Sequence, residues 1–301
     1  MPIAAPVSAK VWIAGARPRT LPAAVVPVVV GTAAAVGLVP GGLIWWRAVA
    51  ALIVAVALQV GTNYANDYSD GIRGTDHDKR RIGPVRLVGQ GLARPGMVKR
   101  AAFGGFGVAG LAGLALTIAV GWQLLIVGAA AIAAGWFYTG GPRPYGYAGF
   151  GEVFVFVFFG VVATVGSTYV QVGHLTALAF AASLPVGLLA TALLVTNNLR
   201  DIPGDTASGK RTLAVRIGDG PTRWLYILMV EAAIVSIGVL AFAAGRHWVL
   251  LGVAGGILAV RPIIAVRDGA KGRSLIAVLA DTGRAQLACG ALLAVGLALS
   301  G

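Results

Sequence analysis

Residues 44–76 read IWWRAVAALIVAVALQVGTNYANDYSDGIRGTD. The first two-thirds is an apolar run of about 20 residues, long enough to carry a helix across the hydrocarbon core of a bilayer. It then gives way to Asn66-Asp67-x-x-Asp70 and, six residues later, to Asp76. A membrane-length apolar segment that ends in carboxylates raises two questions: how many such segments the chain holds, and what the carboxylates are for.

The chain repeats the apolar run many times. Of its 301 residues, 57% are hydrophobic and 12% charged, with a mean hydropathy of +0.83; soluble domains carry about a quarter charged residues. Nine spans are predicted, at 21–39, 44–65, 98–119, 122–138, 149–171, 176–197, 223–244, 247–263 and 283–300. The expected fold is all-α: a polytopic membrane protein with about nine transmembrane helices in one bundle, a single domain over residues 1–301. The first ten residues lack the apolar core and cleavage site of a removable signal, so the first block is expected to be retained. Many of the 44 glycines lie inside the blocks, where small residues let helices approach closely in lipid. The single cysteine, Cys289, excludes an internal disulfide and a cysteine metal cluster.

Charge sets the expected orientation. With the amino terminus in the cytoplasm, residues 1–20, 66–97, 139–148, 198–222 and 264–282 lie on that side. Counted with the adjoining span ends, they hold every Lys and Arg except Arg47 and Arg246. This follows the positive-inside rule for a cytoplasmic membrane protein, so the net charge of +13 reports topology. A nucleic-acid partner is not expected, because no groove-reading or aromatic-interleaved basic module accompanies the basic loops.

The acidic residues are concentrated too. If the helix of the second span continues past Asn66, then Asn66 and Asp70 share one face and Asp67 points elsewhere. Gly71 and Gly74 loosen the chain so that Asp76 can fold back. A second cluster, Asn197-Asn198-Leu199-Arg200-Asp201-Ile202-Pro203-Gly204-Asp205, closes the sixth span. Asp201 and Asp205 are again four apart, with Pro203 expected to bend or end the helix between them. Oxygen-only ligands suit a hard cation, and an open site favours magnesium shared with phosphate. Arg200, Lys210 and Arg211 set cations beside the carboxylates, as a diphosphate–metal complex requires. A lone loop carboxylate is more often a solvated counter-charge; two clusters at span ends, where polar groups are costly, argue for a site.

Asn66-Asp67-x-x-Asp70 and Arg200-Asp201-x-x-x-Asp205 resemble the two Asp-rich motifs of the UbiA superfamily of intramembrane prenyltransferases, and the resemblance covers nearly the whole chain. Within it, Arg17-Pro18-Arg19-Thr20-Leu21-Pro22, the six-residue step from Asp70 to Asp76, and Tyr138-Thr139-Gly140-Gly141-Pro142 followed by Gly149-Phe150-Gly151-Glu152 are similar to the menaquinone-pathway branch, the 1,4-dihydroxy-2-naphthoate polyprenyltransferases. One departure is Pro142, which stands where many members carry a diphosphate-binding lysine; Arg143 is the expected substitute.

The resemblance implies a magnesium-dependent transfer of a polyprenyl group from its diphosphate to dihydroxynaphthoate, with loss of CO2 and diphosphate. It implies Asn66, Asp70 and Asp76 on one metal and Asp201 and Asp205 on the other, with Asp67 as a further ligand or as an orienting group behind them. Arg200, Lys210 and Arg143 are the expected diphosphate ligands, joined by Arg81 and Arg86. Asn197, Asn198, Tyr138 and Glu152 complete the expected substrate-binding set. The donor's tail calls for an apolar groove open to lipid. Two other readings stand beside this one: a related enzyme acting on 4-hydroxybenzoate or homogentisate, and an ion-coupled transporter. A transporter would carry polar residues at mid-bilayer, whereas these lie at one face.

Overall fold

The computed structural model describes residues 8–75, 83 and 85–301. Ten helices are numbered here: α1 Ala9–Ala16, α2 Pro22–Ala33, α3 Trp45–Ile72, α4 Pro95–Val120, α5 Gln123–Phe137, α6 Gly151–Val172, α7 Ala177–Ala207, α8 Asp219–Ala243, α9 His247–Arg267 and α10 Ser274–Leu299. Seven of them (α3, α4, α6, α7, α8, α9 and α10) are long and apolar enough to cross a membrane. Residues Ala9–Thr20 and α2 meet at a 52° bend and add an eighth span when taken together. The expected span 122–138 is the 15-residue α5, about 22 Å long at 1.5 Å per residue and therefore short of a ~30 Å core. The protein is a multi-pass, all-helical membrane protein, but the count of nine full spans is not reproduced.

The outside of the bundle is apolar, as lipid demands. Leu111, Ile118, Val235, Phe242 and Ile257 are all exposed on the long helices. Contact between helices depends on missing side chains. A Cβ added to Gly105 of α4 would lie 2.9 Å from the Gly61 Cα of α3, and one added to Gly160 of α6 would lie 2.5 Å from the Gly187 Cα of α7. These are backbone-to-backbone approaches that only glycine permits. Gly160 belongs to a π-helical stretch, Phe156–Val162, within α6. One buried polar pair, the Tyr226 hydroxyl and Thr282 Oγ1 at 2.7 Å, joins α8 to α10 inside the core.

Two helices run past the apolar zone and carry the acidic clusters with them. α3 continues to Ile72, so Asn66 and Asp70 do share a face. α7 continues to Ala207 straight through Pro203. Pro203 therefore does not end the helix; its ring removes one N–H, while the turns on either side remain helical. The amino-terminal segment is laid across α3 by side-chain bonds: Asn63 Nδ2 donates to the Ala16 carbonyl at 2.9 Å, Gln59 Nε2 to Thr20 Oγ1 at 2.9 Å, and the Tyr64 hydroxyl to the Trp12 carbonyl at 2.9 Å. Tyr64 is thus a strut rather than part of the site.

Candidate active site

The clusters meet. Lys210, on the turn after α7, places its Nζ 3.1 Å from Asp70 Oδ1 and 4.0 Å from Asp205 Oδ1. One ammonium thus bridges carboxylates 135 positions apart in sequence. Arg86 Nη2 stands 3.3 Å from the other Asp70 oxygen. All three partners of this clasp apart from Asp205 are buried, with Asp70 only 2% exposed, Arg86 6% and Lys210 8%. A carboxylate so enclosed requires counter-charge, since an unpaired buried ion is strongly disfavoured.

Tyr147 holds the two halves together, although along the chain it is only an aromatic in a short polar turn. Its hydroxyl donates to Asp70 Oδ1. Its carbonyl accepts from the Arg211 amide at 3.0 Å, on the loop that follows the second cluster. The Lys210 ammonium sits 4.8 Å from its ring centroid and the Arg73 guanidinium 5.4 Å from it, within cation–π range. Burial, followed by the Asp70 charge, pushes the Tyr147 phenol above its ordinary range, so it remains a donor. Arg73 itself donates to the Thr139 and Gly141 carbonyls. Thr139 Oγ1 in turn donates to Asn66 Oδ1 at 2.8 Å. Neither Arg73 nor Thr139 was anticipated as a site residue. Both lie in segments quoted above, but their reach across to one another is a property of the fold.

The second cluster is internally paired. Arg200 forks onto Asp201, Nε to Oδ1 at 2.8 Å and Nη2 to Oδ2 at 2.7 Å, and Nη2 also reaches Asn197 Oδ1 at 2.7 Å. Asn198, the next residue, faces another way and donates from Nδ2 to Glu152 Oε1 at 2.9 Å. Beyond it an aromatic column descends into the apolar zone: Tyr138 against Tyr145 at 5.4 Å, Tyr145 stacked on Phe154 at 3.8 Å, and Phe154 on Phe158 at 6.0 Å.

Two of the expected site residues stand outside the clasp. Asp67 faces away from Asp70 and is fully buried. Its Oδ2 accepts the Leu87 amide at 2.8 Å and its Oδ1 the Val88 amide at 2.9 Å. Both oxygens help to pin the loop that carries Arg86, so Asp67 orients that loop and stands outside the Lys210 clasp. Arg143 is exposed and makes no ion pair among the described residues, and it stands outside the clasp that Lys210 and Arg86 form. Asp76 and Arg81 lie outside the described residues.

Among the described residues no three His, Cys, Asp or Glu side chains converge as a complete metal cage. What converges is a partial oxygen set: Asp70, Asp205 and the nearby Asn66 amide, already balanced by two cations. That set fits magnesium, which keeps several waters and is bound through one or two carboxylates plus substrate phosphate.

A bundle of apolar helices with a buried carboxylate-and-cation clasp describes a multi-pass membrane protein with a charged site. The chain belongs to the UbiA prenyltransferase family, whose model matches residues 24–277. It is 51% identical over 278 residues to the 1,4-dihydroxy-2-naphthoate octaprenyltransferase of Mycobacterium tuberculosis (strain ATCC 25618 / H37Rv), covering 92% of each chain. It is 39% identical to the Escherichia coli (strain K12) protein of the same name, covering 74% of each. Among solved structures, the UbiA homolog from Archaeoglobus fulgidus bound to DMAPP and Mg2+ shares the fold with a TM-score of 0.65. That match has 15% identity and covers 94% of this chain and 99% of the other.

Proposed function

We propose that the protein transfers a polyprenyl group from polyprenyl diphosphate to 1,4-dihydroxy-2-naphthoate, releasing diphosphate and CO2 and giving demethylmenaquinone in its reduced, quinol form. The observation that carries this reading is the convergence of Asp70 and Asp205 on one Lys210 ammonium. Relatives bearing that activity in their names, 51% and 39% identical, support the acceptor. Asp70, Asp205 and Asn66 would hold magnesium, with Asp201 beside them and Asp76 added from the first motif. When bound, magnesium supplies Lewis-acid stabilisation of the departing diphosphate.

The protein's own groups do the rest. Lys210 and Arg86, which neutralise Asp70 in the resting site, are placed to turn to the phosphate oxygens once donor and metal arrive. Arg200 offers the planar fork suited to a second phosphate contact. Tyr147, kept protonated, orients Asp70. The tail leaves the clasp along the Tyr145–Phe154–Phe158 column, whose faces shield a developing allylic cation from water and attract it. The basic asymmetry of the loops supports a cytoplasmic-membrane location with the site on the cytoplasmic face.

The test is prenyl transfer by purified protein in nanodiscs, with labelled geranyl diphosphate and dihydroxynaphthoate, 4-hydroxybenzoate or homogentisate, with and without magnesium. Magnesium-dependent product from dihydroxynaphthoate alone is expected, and its loss in Asp70→Ala and Asp205→Ala. Product from 4-hydroxybenzoate in preference would reassign the acceptor, and full turnover in both variants would refute the site.

A further inference from the structure

Glu152 is a buried carboxyl that the diphosphate chemistry does not use. It sits at the start of α6, 7% exposed. Asn198 satisfies Oε1, while Oε2 is buried with no hydrogen-bond partner. The Tyr138 hydroxyl lies alongside: a Cβ added to the neighbouring Gly151 would be 3.2 Å from it. That hydroxyl makes no hydrogen bond among the described residues. Tyr138 is within electrostatic reach of Glu152, Asp205 and Asp70. A buried, unpaired carboxyl oxygen and a phenol thus stand beside one another, the phenol in electrostatic reach of the clasp carboxylates. Buried polar groups are rarely left unpaired unless a ligand completes them, and an intramembrane carboxyl is a functional site by default.

We propose that Glu152 Oε2 receives the hydroxyl proton of the aromatic acceptor, on the ring position adjacent to the carbon that is alkylated. The inference rests on the acceptor reading above and adds a catalytic residue to it. As the allylic C–O bond breaks, its electron pair leaves with diphosphate. The ring carbon bearing the carboxylate forms the new C–C bond with ring π electrons. The adjacent O–H bond breaks; its proton passes to Oε2 and its pair becomes the second bond of a ketone. Loss of CO2 returns an electron pair to the ring, and the oxygen regains its proton from Glu152. The carboxyl ends as it began, so the buried site needs no proton path to water. Asn198 fixes the carboxyl so that Oε2 faces the ring, and the Tyr138 hydroxyl is placed to bond the acceptor or its forming ketone oxygen.

The experiment uses full-length protein in nanodiscs and the variants Glu152→Gln and Glu152→Asp. Three quantities are read: turnover of dihydroxynaphthoate, affinity for geranyl S-thiolodiphosphate with magnesium, and inhibition by 1-hydroxy-2-naphthoate against 1-methoxy-2-naphthoate. General-base catalysis is typically worth about 10²–10⁴-fold. Glu152→Gln should therefore lose at least about 100-fold in turnover while donor-analogue affinity stays the same. Its preference for the hydroxy over the methoxy inhibitor should vanish, and Glu152→Asp should restore part of both. Wild-type-like turnover in Glu152→Gln, an unchanged inhibitor preference, or a donor affinity that falls in step with turnover would each overturn the inference. Wild-type protein that ignores dihydroxynaphthoate would instead overturn the acceptor reading, and this one with it. If Glu152→Gln does not fold, the inhibitor preference of Glu152→Asp decides.

Discussion

Replacing Lys210 with Met separates the resting site from the loaded one. The ammonium lies 3.1 Å from Asp70 and 4.0 Å from Asp205. At an effective dielectric of ~20 these separations correspond to about 5 and about 4 kcal/mol of attraction, before desolvation is subtracted. Breaking a buried pair costs about 3–5 kcal/mol when the remaining charge has no other partner. Here Arg86 still stands 3.3 Å from Asp70, so a loss nearer ~2 kcal/mol is expected for the metal-free protein. Metal and donor should then respond in opposite directions. Removing the competing cation exposes the carboxylates, so magnesium alone should bind more tightly. The diphosphate loses a charge-assisted hydrogen bond worth about 1.5–3 kcal/mol, or roughly 10- to 150-fold in affinity. The assay is thermal unfolding followed with a thiol-reactive dye, because Cys289 is the single cysteine and is buried. Melts without ligand, with magnesium, and with magnesium plus geranyl S-thiolodiphosphate give all three effects. Weaker magnesium protection in Lys210→Met, or unchanged donor-analogue protection, would show that Lys210 does not guard the metal position.

Other perturbations probe the supports of the site. Asp67→Ala removes the acceptor for the Leu87 and Val88 amides and should cost about 2–4 kcal/mol; faster proteolysis between residues 83 and 94 would report the loosened loop, and unchanged cleavage would argue against the anchor. Tyr147→Phe deletes a donor to Asp70 and should lower kcat/KM by roughly tenfold, the effect of a charged-acceptor hydrogen bond. Because burial raises the folded phenol above its ordinary value of about 10, its protonated form is favoured without change below that value. That contribution fades only as pH rises towards the higher folded value, so the pH–rate profile between about 6 and 9 should keep its shape in the variant. Gly160→Ala forces a Cβ to within 2.5 Å of the Gly187 backbone and should destabilise by about 1–3 kcal/mol; Gly110→Ala, with open space at its Cβ, is the matched control and should melt like the wild type.

Sequence alone determined the solvent of this protein and the kind of site it carries. Hydropathy is local and additive, so apolar runs marked the membrane helices, and i, i+4 spacing placed Asn66 with Asp70 and Asp201 with Asp205. The motifs also gave the family, because the order of acidic and basic residues at two helix ends survives without coordinates. Span count was less legible: α5 is apolar yet too short, and the first span is bent at Leu21, between Thr20 and Pro22, where composition does not register a change of direction. Only the tertiary structure decided which charges meet. Asp67 and Asp70 are three residues apart and chemically alike, but the helix aims one at the backbone of residues 87–88 and the other at Lys210. Tyr147, Arg73 and Thr139 came into the site because the 139–148 turn passes between the two helix ends. Which face of a helix meets which loop depends on the packing of distant segments, and no window along the chain contains that information.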